Sequence, residues 1–340
     1  MMNHRAKLRA KFLRLIGWEN SGSVVVAGDA SNRSYERLTR PDGQTAILMN
    51  APPEKGEDVG PFVKILTYLR HCGLEAPMLL GADMEHGFLL LEDLGDALFA
   101  RVCKTRPELE TTLYRAAIDV LLHLHKRPAP KNVPPYDLAA YLRETDLVCD
   151  WYLPATTKTA VLPDVVKTYR REISAACEAM QNPAPVLVLR DYHAENLLWL
   201  PDRGAVKRVG LLDFQDALIG HPAYDLLSLL EDARRDTPLS LQADMKRYFI
   251  EQSGLHETTF NADFATLGAQ RNLKIIGIFA RLCVRDAKPH YIDMIPRVWA
   301  HLQHDLSHPK LAGLKAWVKH NMPIPSPEIL ARIKEAAHAT

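Results

Sequence analysis

The stretch LVLRDYHAENLLWLPDRGAVKRVGLLDFQD, Leu187 to Asp216, is the densest polar cluster in the chain set between apolar runs. An apolar run ends at Arg190-Asp191, and Asn196 follows five residues after Asp191. A second apolar run, Val209 to Leu212, delivers Asp213-Phe214-Gln215-Asp216. Apolar runs of this length, bounded by turn-forming residues, read as short strands. Two carboxylates and a carboxamide carried on strand ends can converge in a pocket. Hard oxygen donors of this kind suit Mg²⁺, which keeps several waters and binds substrate phosphates. Taken singly, each residue could simply cap a turn, as Asp and Asn often do. That reading does not account for the set.

The spacing resembles that of a kinase catalytic loop, in which Asp-x4-Asn precedes an Asp-Phe-Gly turn that binds metal. Phosphoryl transfer asks a protein mainly to position groups and neutralise charge. On this pattern Asp191 orients the attacking hydroxyl and accepts its proton, and Asn196 and Asp213 hold Mg²⁺. The match to protein kinases stops there. Leu189 stands where a His is usual, Gln215 where a Gly is usual, and Gly220-His221-Pro222-Ala223-Tyr224-Asp225-Leu226 follows in place of an activation segment. With that continuation the chain resembles the aminoglycoside phosphotransferase and choline kinase superfamily. Within it the chain is most similar to the bacterial kinases of N-acetylmuramate and N-acetylglucosamine. The likeness spans nearly the whole chain, through GDASNRSY (Gly28–Tyr35), ILMNAPPE (Ile47–Glu54), GFLLLEDLG (Gly87–Gly95), LRDYHAENLLW (Leu189–Trp199), LLDFQDALIGHPAYDLLSLLEDARRD (Leu211–Asp236) and QRNLKIIGIFARL (Gln270–Leu282).

The resemblance implies an α+β, bilobal, protein-kinase-like fold with a small β-rich N-lobe and a large, mainly helical C-lobe. The pattern along the chain agrees. Ser23–Ala27, Tyr35–Leu38, Thr45–Met49, Met78–Leu80 and Gly87–Leu91 read as strands, and Pro61–His71 carries apolar residues at helical spacing. Beyond Gly95 helices dominate, over Leu109–His125, Asp137–Tyr152, Val165–Met180 and most of the chain after Ala223, with prolines expected to stop them at 238, 289, 296, 309 and 323. Residues 1–95 are thus expected to form a nucleotide-binding lobe with its hinge at 91–95, and residues 96–340 a lobe holding the catalytic loop and the acceptor site.

ATP is the expected phosphoryl donor. The small, polar turn after the first strand offers Ser31, Asn32 and Arg33 to phosphates. The third strand lacks the lysine of the kinase pattern: it reads Ala46-Ile47-Leu48-Met49. Arg33 is the first candidate to replace that cation and Lys64 the second, with Glu57 as a candidate partner. Adenine is expected against the backbone near Glu92 and Leu94.

For the acceptor, the expected contacts are His193, two residues past the base, and Asp216, three past the metal-binding Asp. The segment Glu144–Tyr152 adds Glu144, Asp146, Trp151 and Tyr152, since carboxylates hold sugar hydroxyls and aromatic rings hold apolar sugar faces. Arg281, Arg285 and Lys288 could receive the lactyl carboxylate of N-acetylmuramate. Asp225 is expected to brace the catalytic loop. The resemblance implies phosphorylation of the anomeric hydroxyl to give a sugar 1-phosphate that feeds cell-wall recycling. Aminoglycosides, amino alcohols and ketosamines are alternative acceptors for the same machinery. A nucleotide-binding protein without catalysis is the alternative from another class, supported by the missing lysine and opposed by the intact Asp191, Asn196 and Asp213.

Composition narrows the partners. The chain has 340 residues, 47% hydrophobic and 24% charged, with 42 basic against 41 acidic side chains and a net charge of +1. Disorder needs low hydrophobicity with high net charge, and nucleic-acid binding usually shows a basic excess. The first 95 residues carry 11 basic and 12 acidic side chains, so the balance hides no opposed halves. Five scattered cysteines, with no Cys-x-x-Cys pair, argue against disulfides or zinc and for a reducing cytoplasm. The acid-free stretch Met1–Gly17 holds Arg5, Lys7, Arg9, Lys11 and Arg14 and reads as a first helix packed by Leu8, Phe12 and Leu15, a presequence or membrane-surface helix being the alternative. The expected protein is a cytoplasmic monomer without membrane or nucleic-acid partners.

Overall fold

A computed structural model describes residues 4–28, 32–181 and 183–337. Two compact units are defined by their internal packing: Met1–Val120 with Ala194–Ala217, and Leu121–His193 with Leu218–Thr340. This grouping differs from the expected boundary at residue 95. The first unit also takes in residues 96–120 and the segment that carries Asn196 and Asp213.

In the first unit a helix, α1 (His4–Leu15), precedes the strands β1 (Gly22–Gly28), β2 (Ser34–Thr39) and β3 (Thr45–Asn50); α2 (Gly60–His71), β4 (Leu79–Asp83) and β5 (Phe88–Glu92) follow. The strands form one antiparallel sheet in the order β1-β2-β3-β5-β4. Alternation along them sends Leu38, Ala46, Leu48, Phe88 and Leu90 to one face, where Phe12, Leu13 and Trp18 cover them. The basic helix α1 is therefore a packed first helix, seated through Phe12 and Leu13 with Leu8 beside them, while Leu15, expected to pack, is exposed. Arg5 lies 4.0 Å over the Phe88 ring and donates to Asn50 Oδ1 at 2.6 Å, and Arg9 pairs with Glu36 at 2.5 Å. Gly87 has φ +67°, and a Cβ there would sit 1.9 Å from Ala51 O, so this turn requires glycine. Helices α3 (Phe99–Thr105) and α4 (Glu110–His125) come next, α4 ending in the second unit.

Four three-residue strands follow: β6 (Val186–Val188), β7 (Leu197–Trp199), β8 (Val209–Leu211) and β9 (Leu218–Gly220). In the first unit β7 pairs antiparallel with β8, Leu197 opposite Leu211. Backbone bonds tie this hairpin to its own unit, Trp199 N to Ala97 O at 2.8 Å and Leu211 N to Glu75 O at 2.8 Å. In the second unit β6 pairs antiparallel with β9.

The rest of the second unit is helical: α5 (Leu138–Thr145), α6 (Leu153–Thr157), α7 (Pro163–Glu178), α8 (Ala223–Leu230), α9 (Leu239–Ser253), α10 (Glu257–Asp286), α11 (Ile295–Asp305), α12 (Ala312–Asn321) and α13 (Pro327–Ala336). Helix α10 is buried on nearly every side over its middle turns, which makes it the axis of this unit. The single helix expected over Asp137–Tyr152 is broken. It stops at Thr145, and a π-helical turn, Val148–Tyr152, follows. The prolines expected to stop helices largely start them instead: Pro238 is the N-cap of α9, and Pro296 lies in the first turn of α11. There the missing N–H costs nothing and the fixed φ suits a helix. All five cysteines are buried. Among the described residues no helix is long and apolar enough to cross a membrane.

Candidate active site

The β7–β8 hairpin positions the expected metal ligands. Asn196 immediately precedes β7, and Leu212-Asp213 immediately follows β8. The bond Leu212 N to Asn196 O at 3.0 Å closes this end of the hairpin. Asn196 Nδ2 then lies 3.4 Å from Asp213 Oδ2. Gln215, in the place of the usual glycine, donates from Nε2 to Asp213 Oδ1 at 2.8 Å and to Asp216 Oδ2 at 3.3 Å. One buried carboxamide thus ties the two carboxylates together. Asp213 has φ +55°, a left-handed conformation that Asp tolerates better than most residues and that is found at functional turns. Phe214 is buried and stacks on Phe62 of α2 with centroids 4.9 Å apart, which fixes the turn against the helix. The donor set, Asp213 with Asn196 and Asp216, consists of half-buried or exposed oxygen donors and fits Mg²⁺ shared with a phosphate. The amide of Asn196 presents its nitrogen to Asp213; turned over, it presents oxygen to a cation. Among the described residues no group of three or more His, Cys, Asp or Glu forms a self-sufficient metal cage.

The sheet supplies the nucleotide candidates. Met49, where the lysine is missing, is 1% exposed. Arg33 Nε bonds Glu57 Oε2 at 2.8 Å, with the two side chains only 12% and 11% exposed. Glu57 Oε1 also accepts from Asn32 N at 3.0 Å, so one carboxylate grips the loop backbone and the arginine it carries. Burial lowers the Arg33 pKa, but Tyr35, Glu57 and the charge of Asp216 outweigh it and raise the net value. Lys64 is exposed on α2. Ser31 lies outside the described residues. At the expected hinge the Glu92 side chain is engaged by Arg203 at 2.8 Å and by Met78 N at 3.0 Å, and Glu92 N is used by Met78 O at 2.8 Å. Leu94 is 9% exposed. Arg37 of β2 clasps the segment after β5 through Asp93 at 2.7 Å and Asp96 at 2.8 Å.

The second unit carries the expected base. Strand β6 leads into Leu189-Arg190-Asp191. Asp225, in the first turn of α8 and 1% exposed, accepts from Leu189 N at 2.7 Å and Arg190 N at 2.8 Å. Ser228 Oγ donates to Arg190 O at 3.0 Å. These bonds hold Arg190 at φ +69°, an unusual conformation for a long side chain, and so set the direction in which half-buried Asp191 leaves the loop. Burial pushes the Asp225 carboxyl up to about 7, against the two N–H bonds that favour its ionised form.

The acceptor candidates divide. Glu144 is not open to a sugar. It takes Arg190 Nη2 at 2.5 Å, Lys274 Nζ at 3.1 Å, the Tyr136 hydroxyl at 2.5 Å and Gln270 Nε2 at 3.2 Å. Burial raises its pKa, and the Lys274 and Arg190 charges overcome that to leave it lowered. Tyr152 is a core residue, 0% exposed, with its hydroxyl on Pro323 O at 2.6 Å. Asp146 is taken by Arg170 at 2.6 Å. Trp151 is half-buried and Asp216 exposed. His193 is 3% exposed, and its Nε2 faces Arg234 Nη1 at 3.2 Å.

The chain matches the phosphotransferase enzyme family over residues 24–259. It belongs to that family. It is 38% identical to an N-acetylmuramate/N-acetylglucosamine kinase from Caulobacter vibrioides, over 95% of this chain and 98% of that one. It is 34% identical to the protein of the same name from Pseudomonas aeruginosa, over 86% of each. In fold it is similar to a choline/ethanolamine kinase family protein from Mesorhizobium loti, with a TM-score of 0.61 at 15% identity over 97% of this chain and 99% of that one. An ADP-bound aminoglycoside phosphotransferase gives a TM-score of 0.58 at 14% identity, over 89% and 97%.

As a phosphotransferase with a protein-kinase-like fold, the chain explains its own departures from the kinase pattern. Gln215 keeps Asp213 and Asp216 on one donor. Glu57 was only a weak sequence candidate because it lies 24 residues from Arg33 and outside any helix. Arg190 and Glu144 carried no linking signal across the 46 residues between them.

Proposed function

We propose that this protein is an ATP-dependent kinase that phosphorylates the anomeric hydroxyl of N-acetylmuramate and of N-acetylglucosamine. The observation that carries the reading is the end-to-end match to relatives of that name, 38% identical over 95% of the chain, in a chain that has Asp191, Asn196 and Asp213 at the spacing phosphoryl transfer needs. Asp191 accepts the proton of the sugar hydroxyl as its oxygen attacks the terminal phosphorus of ATP, and ADP leaves. An anomeric hydroxyl is more acidic than an ordinary alcohol, so a single carboxylate serves as base. Asn196 and Asp213 are the residues that would hold Mg²⁺, which when bound neutralises phosphate charge. Asn32 and Arg33 are read as phosphate contacts, Ser31 is one from the sequence alone, and the backbone near Glu92 and Leu94 is read as the adenine contact. Residues 1–95, with the hinge at 91–95, are read as the nucleotide lobe, and residues 96–340 as the lobe of catalysis and acceptor binding. His193, Asp216 and Trp151 remain the acceptor contacts, while Glu144, Asp146 and Tyr152 are committed to other protein groups. A cytoplasmic, monomeric enzyme is part of this reading.

The Arg33–Glu57 pair supports catalysis despite the absent strand lysine: a half-buried arginine held by a glutamate is read as the cation that serves from the loop. Arg33→Ala is expected to raise the KM for ATP about tenfold, with kcat changed much less, as for loss of one charge-assisted contact made in ground and transition state alike. Steady-state kinetics with varied ATP checks it, and an unchanged KM removes Arg33 from phosphate binding. The function itself is tested by ADP release over a panel of acceptors. Turnover is expected on the two amino sugars. Faster turnover on an aminoglycoside, an amino alcohol or a ketosamine would replace the acceptor, and no turnover on any would favour the non-catalytic reading.

A further inference from the structure

The loop after α8, LEDARRD from Leu230 to Asp236, is pinned from two helices. Arg271 of α10 donates from Nη1 to Glu231 O at 3.3 Å and from Nη2 to Ser228 Oγ at 2.8 Å. Arg297 of α11 donates to Ala233 O at 2.9 Å and pairs with Asp236 through two bonds, at 2.5 and 3.1 Å. Asp232 Oδ1 accepts from Arg234 N at 2.8 Å. Arg234 therefore leaves a backbone fixed on both sides of it.

Its guanidinium is spent differently from those of its neighbours. Arg297 is matched by Asp236, whereas Arg234 is exposed and has no carboxylate at ion-pair distance among the described residues. Its side-chain bond goes to the imidazole of His193, two residues past Asp191, at 3.2 Å. Arginine has only donors, so His193 Nε2 accepts and the ring proton sits on Nδ1. Burial first, then the Arg234 charge, hold the His193 pKa down to about 3, so the ring stays neutral. A neutral acceptor steers the guanidinium without cancelling its charge. The basic residues expected from the sequence for an anionic substituent are less suited: Arg285 is paired with Asp286 at 2.7 Å, and the Arg281 pKa is lowered, first by burial.

We infer that Arg234, oriented by His193, binds an anionic substituent of the acceptor, the lactyl carboxylate that N-acetylmuramate has and N-acetylglucosamine lacks. The inference rests on the amino-sugar kinase reading. The two sugars share the pyranose ring, the N-acetyl group and the anomeric hydroxyl, so a residue that reads the carboxylate sets the preference between them. Guanidinium and carboxylate match in shape as well as charge, through two parallel N–H···O bonds. With N-acetylglucosamine the same guanidinium faces water.

Steady-state kinetics of the full-length protein on both sugars, with Arg234→Ala and Arg234→Lys, tests this. Arg234→Ala is expected to lower the ratio of kcat/KM for N-acetylmuramate over that for N-acetylglucosamine by about 10- to 100-fold, chiefly through KM. Arg234→Lys should recover part of the ratio, because it keeps the charge and loses the fork. An unchanged ratio, or equal losses on both sugars, overturns the assignment and leaves Arg234 a loop residue. Wild-type protein that turns over neither sugar overturns the underlying reading, and shows this before any variant is compared.

Discussion

Asp191→Asn is expected to lower kcat about a thousandfold while the KM for ATP stays within about a factor of two. The substitution keeps the size and hydrogen-bonding reach of the side chain and removes its basicity. General-base catalysis by a positioned side chain is worth about 10²- to 10⁴-fold, and here no second base stands in the sequence at the same point of the loop. The nucleotide candidates, Asn32, Arg33 and the backbone near Glu92 and Leu94, belong to the first unit, whereas Asp191 belongs to the second. Single-turnover kinetics separates chemistry from product release. A variant within tenfold of wild type would remove Asp191 as the base and leave it a binding residue.

Asp225→Ala should be the most damaging change outside the residues that meet the substrate. Asp225 accepts two backbone N–H groups of the catalytic loop, at 2.7 and 2.8 Å, in a site only 1% exposed. Without it both donors are stranded, each at a cost of about 1–3 kcal/mol, and the left-handed Arg190 loses what holds it. The expected loss is on the order of 3 kcal/mol in stability, together with about a hundredfold in kcat as Asp191 loses its direction. Urea unfolding and steady-state kinetics on the same preparation check both. Normal turnover in a destabilised variant would limit Asp225 to the core.

The same residue gives a pH dependence of defined sign. Its pKa is raised in the fold to about 7 from 3.8, so the unfolded chain releases this proton first. Its contribution is therefore most favourable below about pH 4 and is lost as pH rises through 7, by roughly 4 kcal/mol in all. In Asp225→Asn that contribution to the slope of stability against pH disappears.

The chemistry was legible in the sequence where it is local. Asp191 and Asn196 lie on one loop, and Asp213 follows an apolar run that could only be a strand. The alternating and helical patterns of residues 22–92 likewise announced the sheet and α2, because each element buries one face. Strands β7 and β9 were not read from the sequence, although they are no shorter than β6 and β8, which were. The break after Thr145 escaped because the apolar positions continue through the π-helical turn. Tyr152 and Glu144 were misplaced for a common reason: an aromatic or acidic residue near a pocket motif does not disclose which side of its helix is buried, and their partners, Pro323 and Lys274, lie far along the chain. Arg234 was hidden in a run of charges. The pairing of Arg297 with Asp236, 61 residues apart, shows that an acid close to Arg234 in this run is spent on another helix.

The position of the transferred phosphate decides between an anomeric kinase and any other. Wild-type protein incubated with Mg²⁺-ATP and N-acetylmuramate or N-acetylglucosamine, followed by phosphorus NMR of the product with proton correlation, reads it directly. A phosphorus coupled to the anomeric proton is expected. Coupling to the protons at C6 or C4 instead would contradict it.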